Sequence, residues 1–174
     1  MALKTDIRGM VHIYPDYFVV GREKVREYAK AVKSEDPASL EEKPASELGH
    51  DALVAPLTFA SVFALLVQQD FFRHVDVGVE TMNIVQVDQK FVYHKPIQAG
   101  DKLWARLEIF SVDERFGADI VVTRNVCTND HGELVIEAFT TLMGQQSENA
   151  VKINPMWPAR SGKNDKTLGW PDDT

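Results

Sequence analysis

The groups able to move protons or attack a carbonyl are few and scattered in this sequence. Histidines stand at positions 12, 50, 74, 94 and 131, a single cysteine at 127, and two acids sit side by side at Glu35 and Asp36. General acid–base catalysis needs a base and an acid held within reach of one another. Glu35 and Asp36 offer an acid or base, but no histidine falls between His12 and His50 to work beside them. Their bland alternative is a pair of solvated loop acids. A carboxylate that activates water for hydrolysis would be sought at Asp70, Asp88 or Asp101. Asp101 follows Gly100 and reads as a turn residue. His50 reads as a loop histidine ahead of an apolar segment, the functional alternative being that it replaces the missing partner. His74 and His94 fall at element ends, where packing or solvent exposure is the ordinary role, and His131 belongs to a hairpin turn. Cys127 has no histidine or cysteine at zinc-ligand spacing and lies in a strand-like run, so it is expected to pack. Neither a metal nor a cofactor is expected.

The elements that must position these groups follow from periodicity. Tyr14 to Val20 is aromatic and β-branched and predicts a first strand, ended by Gly21. Arg22 to Val32 carries Val25, Tyr28, Ala29 and Val32 on one stripe and predicts a helix. Lys33 to Gly49 holds two prolines and several acids and predicts a loop with one helical turn. In Ala52 to His74, Pro56 can open a helix because its missing N–H is an orphan donor there. Phe59, Val62, Phe63, Leu66, Val67 and Asp70 follow at helical spacing, with apolar residues over most of the circumference, as in a helix buried on most sides. Four strands are predicted after it. In the first, Val85, Val87, Gln89, Phe91 and Tyr93 share a face; in the second, Leu103, Ala105, Leu107 and Ile109 do. Hairpin connections are expected at Asp113–Gly117 and Asn129–Gly132, framing a third strand, Ala118–Thr128, and a fourth, Glu133–Met143. Strands wrapped around one buried helix make an α+β domain.

The 174 residues suffice for one ordinary domain, expected over 1–146, with a polar tail over 147–174 that carries Trp157 and Trp170. The net charge of −7 argues against a nucleic-acid partner, which would require a basic face. The longest apolar stretch, Phe59 to Val67, is far short of the ~20 residues that span a bilayer, and no signal-peptide core opens the chain, so a cytoplasmic location is expected.

Several words in the sequence carry a family resemblance. Leu53-Val-Ala-Pro-Leu-Thr-Phe59 opens the central helix, and Ile97-Gln-Ala-Gly-Asp-Lys-Leu103 resembles the turn between hot-dog strands. Ile84-Val-Gln-Val-Asp-Gln89, Val112-Asp-Glu-Arg-Phe-Gly117 and Thr141-Leu-Met-Gly144 resemble the A- and C-type subunits of mycobacterial (3R)-hydroxyacyl-ACP dehydratase, the C type most closely, over about Met1 to Gln146. The resemblance implies a hot-dog fold of the MaoC-like superfamily, a curved antiparallel sheet around a long central helix. It also implies a heterodimer in type II fatty-acid elongation of mycolic-acid precursors. There the catalytic subunit carries an Asp and a His in a Gly-Asp-x-Asn-Pro-x-His word, while the A/C-type partner lacks that word and holds the acyl chain.

Matched to that word, Val32–Leu40 sets Ser34 near the glycine, Glu35 or Asp36 near the Asp, and Ser39 or Leu40 where the His belongs. Leu57 stands where the hydratases keep glycine at the oxyanion amide, and its Cβ would crowd an approaching thioester. The resemblance therefore implies no catalytic residue in this chain and a hot-dog partner that supplies the Asp/His pair. The substrate would be a long acyl chain carried on acyl carrier protein. Phe59, Phe63, Leu66 and Val67 are the expected channel residues, although a buried helix must present the same residues to its sheet. An acidic carrier would be repelled by a −7 subunit unless Arg73, Lys102, Arg106 and Arg124 form a patch or the partner docks it. The competing readings are a self-sufficient hot-dog hydratase or thioesterase, and a binding protein for acyl thioesters.

Overall fold

The computed structural model describes residues 3–78 and 82–146; the expected tail, with Trp157 and Trp170, lies outside them. Six strands form one antiparallel arrangement around a central helix, which is the hot-dog α+β architecture expected from the sequence. In chain order the elements are β1 (Val11–Ile13), β2 (Phe18–Val19), α1 (Arg22–Ala31), α2 (Glu42–Glu47), α3 (Ala60–His74), β3 (Met82–Tyr93), β4 (Lys102–Arg115), β5 (Ala118–Thr128) and β6 (Leu134–Gln146). The sheet runs β1-β4-β5-β6-β3, with β2 also on β4.

The single strand expected over Tyr14–Val20 is instead two short ones. Val11–Ile13 and Phe18–Val19 both pair with β4. Pro15, which has no N–H to give a ladder, and an Asp16 side chain that accepts from Tyr17 N at 2.7 Å turn the chain between them. The one helical turn expected in 33–49 is two pieces, a 3-10 turn at Pro37–Ser39 and α2. A second 3-10 turn, Leu57–Phe59, leads into α3.

β4 as far as Ile109, and β5 from Val121 to Cys127, keep strict alternation. Leu103, Ala105, Leu107 and Ile109 on β4 and Val121, Thr123, Asn125 and Cys127 on β5 are buried toward α3. Phe116 and Gly117, both with positive φ (55° and 73°), make a two-residue turn between them, so β4 continues to Arg115, past the start of the expected loop.

β3 departs from the expected alternation. A bulge between Gln86 and Asp88 leaves Val87 extra, and the faces exchange across it. Gln89, Phe91 and Tyr93 pair with Thr140, Ala138 and Ile136, whereas Val85 pairs with Met143 on the outer face. Val85 and Val87 are accordingly about half exposed. β4 has a matching bulge between Ile109 and Ser111, with Phe110 extra and resting edge-on to Phe139 at 5.6 Å. The two bulges lie at nearly the same level of the sheet and bend it around the helix.

Helix α3 turns Ala60, Phe63, Ala64, Val67, Gln68 and Phe71 to the sheet. Its opposite side is less covered than the sequence implied: Leu65 is exposed, and Ser61, Val62, Leu66 and Gln69 are partly so.

Candidate functional site

The Val32–Leu40 segment is a structural corner. Lys33 takes a positive φ of 55° to end α1, and Ser34 N donates to Ala29 O at 2.8 Å. The Asp36 carboxylate accepts from Ala38 N at 3.0 Å and so caps the 3-10 turn. Ser39, 1% exposed, donates its hydroxyl to Val54 O at 2.7 Å, and Val54 N returns a bond to Ala38 O at 3.0 Å. Glu35 is exposed and Leu40 is partly buried. These bonds pin the corner to the strap leading into α3. Among the described residues, no histidine hydrogen-bonds Asp36.

The strap is held from the other side as well. Ala55 N donates to Ile97 O and Ala99 N to Leu53 O, each at 2.8 Å. The Asp101 carboxylate accepts from Gln98 N at 2.8 Å, which is the turn role read from its position after Gly100. Beyond Pro56, Leu57 projects into solvent (72% exposed). The Tyr28 hydroxyl donates to Thr58 O at 2.9 Å and braces the helix start against α1.

Of the expected channel residues, Phe59 and Phe63 come together. With Ala60, Ala64, Ile97, Leu103, Cys127, Ile136 and Ala138 they line an apolar cavity of about 10 Å³, room for one water. Val67 is fully buried against the sheet, and Leu66 sits on the half-covered side of α3; neither lines this cavity. Burial pushes the Cys127 thiol up to about 12, so it is a neutral wall residue rather than a nucleophile.

Farther along the helix the lining turns polar. Gln68, Thr123, Asn125 and Thr140 are all buried. Gln68 Nε2 donates to Thr123 Oγ1 at 3.3 Å, and the Thr140 hydroxyl donates to Gln89 Oε1 at 3.0 Å. Among the described residues, the Asn125 amide has a hydrogen-bond partner on neither its nitrogen nor its oxygen.

Histidine–carboxylate pairs do occur elsewhere. His94 meets Glu137 at 2.9 Å on the outer face. There Arg124 also pairs with Glu137, and these hydrogen bonds, Arg124's first, hold the Glu137 carboxyl below its ordinary range. Arg124 also bonds Glu108 at 3.0 Å, as Arg106 does at 2.6 Å, so these two cations are matched by acids. The second pair is His12 Nε2 with Asp70 Oδ2 at 2.6 Å, with His74 close by. Asp70 lies thirteen residues past Leu57, roughly 20 Å along a helix path, so this pair cannot serve a thioester at the helix start. Sequence reading missed the group. Asp70 and His74 show an i, i+4 spacing, but the arrival of His12 depends on how β1 pairs.

Residues 9–138 match the model of the "FAS1-like, dehydratase domain region". A UPF0336 protein of Mycobacterium tuberculosis is 68% identical over 163 residues, 94% of this chain and 97% of that one. A second UPF0336 protein of the same organism is 48% identical, covering 86% of this chain and 94% of its own length. Among solved structures, a chain of the C-terminally truncated HadBC (3R-hydroxyacyl-ACP dehydratase) complex of M. tuberculosis superposes with a TM-score of 0.78 at 70% identity, covering 82% of this chain and all of that one. A MaoC-like dehydratase gives 0.76 at 35% identity, covering 82% of this chain and 43% of that one. With the fold, the corner at Asp36 and these likenesses together, the chain belongs to the FAS1-like dehydratase domain family of MaoC-like hot-dog proteins.

Proposed function

We propose that this chain is the substrate-holding, non-catalytic subunit of a heterodimeric (3R)-hydroxyacyl-ACP dehydratase. The observation that carries the reading is the corner at 35–40. Its acid is spent on capping a turn, its serine on a backbone carbonyl, and no histidine accompanies them. Removing water from a 3-hydroxyacyl thioester to give the trans-2-enoyl thioester requires a base for the α-proton and an acid for the leaving hydroxyl. Both would come from a catalytic hot-dog partner with the Asp/His pair, and Leu57 would stand in for the oxyanion glycine without its function.

Two surfaces support a partner. β3 is an edge strand of twelve residues with Val85 and Val87 exposed, and the outer side of α3 is half covered. A second hot-dog domain would extend the sheet and cover that helix side. Phe59, Phe63, Leu66 and Val67 would then flank the acyl tail, the present cavity opening as the tail enters. Likeness to the HadBC chain and the mycobacterial source of the relatives favour a cytoplasmic role in elongating mycolic-acid precursors on acyl carrier protein.

The test is hydration of a long-chain trans-2-enoyl-CoA by the full chain, alone and mixed with a catalytic hot-dog subunit. Turnover only in the mixture is expected. Turnover by this chain alone would overturn the reading and direct attention to Glu35, Asp36 and His50.

A further inference from the structure

His12, Asp70 and His74 converge at the C-terminal end of α3, each presenting a ligand-type atom within 4.8 Å of the others. Two of the three come from one helix face, four residues apart, and the third from strand β1, whose backbone is fixed by pairing His12 with Leu107. His12 and the Asp70 carboxylate are mostly buried, at 18% and 16% side-chain exposure, while His74 is 62% exposed. The cluster is thus anchored on one side and open to solvent on the other. The Phe71 ring lies edge-on to His12 at 6.0 Å, and the rings of His12 and His74 are 5.5 Å apart.

Two imidazoles and one carboxylate with an open side form a donor set suited to a borderline-soft divalent ion, and one better matched to zinc than to magnesium or calcium. Tetrahedral zinc holds its ligand atoms roughly 3.4 Å apart. The His12–Asp70 contact of 2.6 Å would open by less than 1 Å, with the ion replacing the proton the pair now shares. The His74 Nδ1 donates to the Asp70 backbone carbonyl at 2.8 Å and lies 3.9 Å from Asp70 Oδ1, so binding an ion exchanges that bond at the helix end for a metal bond through a rotamer adjustment at the surface.

We infer that His12, Asp70 and His74 form a binding site for one divalent transition-metal ion of the zinc class, completed by water. The site clasps the N-terminal strand to the end of the central helix. It is independent of the dehydratase chemistry, being at the far end of α3 from Leu57.

The test is titration of the full-length chain with Zn(II) by calorimetry, with Co(II) as a spectroscopic probe. One equivalent of Zn(II) should bind saturably, and Co(II) should develop the visible bands of a four-coordinate nitrogen–oxygen site. His74→Ala, which alters a mostly exposed side chain, and Asp70→Asn, which keeps a hydrogen-bond acceptor for His12, should each weaken binding about 10-fold or more. His94→Ala, at the other histidine–carboxylate pair, should leave it unchanged. Absence of saturable binding, or binding that survives both variants, overturns the assignment.

Discussion

Asn125 provides a stability test whose sign is set by the structure. The residue is fully buried on the inner face of β5, between Leu107 on β4 and Ala138 on β6, and both polar atoms of its amide lack partners among the described residues. A buried donor or acceptor without a partner costs about 1–3 kcal/mol. Leucine has the same γ-branched outline with methyls in place of the amide atoms, so Asn125→Leu removes that cost and adds apolar contact. The gain is partly offset by imperfect fit, typically under about 1.5 kcal/mol for shape-conserving exchanges. The expected net is a stabilisation of about 2 kcal/mol. For a chain of this size that is a rise of about 4–8 °C in Tm. The assay is urea unfolding of the full-length chain followed by circular dichroism, with the midpoint rising and the slope unchanged. An equal or lower midpoint would refute the reasoning, because it would mean that the amide is satisfied in solution by a bound water or other group inside the polar belt.

Two further perturbations probe the core and the outer face. Phe63 is 2% exposed and stacks with Phe18 at 5.1 Å, so Phe63→Ala should cost about 3–5 kcal/mol in urea unfolding; a loss under about 1 kcal/mol would show the ring standing beside open channel rather than in packed core. Glu137 has a carboxyl held below its ordinary range by Arg124 and His94, so its stabilisation is present above pH 4.5 and is lost as pH falls through the depressed folded value. The stability difference between the wild type and Glu137→Gln should therefore shrink on acidification below that pH, and a difference that stays constant would remove the ion pairs from the account.

The legibility of the chain varied by element for physical reasons. α1 was predicted to within a residue because its stripe and its flanking Gly21 are local features. β5 and the first half of β4, Leu103 to Ile109, were equally plain, since an unbroken alternation states both the strand and its inner face. β3 was not, because Val87 is valine like its neighbours and nothing local marks it as the bulged residue. The strand expected over Tyr14–Val20 divides because Pro15 cannot give an N–H to the ladder. At the site, the absence of histidine between positions 12 and 50 could be read directly. That Asp36 caps a turn and Ser39 bonds Val54 depends on a strap fifteen residues downstream. The gathering of His12, Asp70 and His74 is longer-range still, joining residues fifty-eight apart.

The paired bulges also impose a counting rule on the gene. Each works as a one-residue phase shifter, letting residues an odd number of positions apart, Ile84 and Phe91 or Ile109 and Val112, face the same side of the sheet. Losing one codon at Val87 would restore an unbroken alternation with Ile84 and Phe91 both still facing inward, so that deletion costs the bend and not the phase. A deletion within the unbroken ladder of β5 would instead turn one half of that strand over, whereas the same deletion in the Lys33–Gly49 connection would leave the sheet's phase untouched. Across descendants of this chain, length changes should therefore collect in the connections and at the two bulges, while the regular ladders between them keep their length.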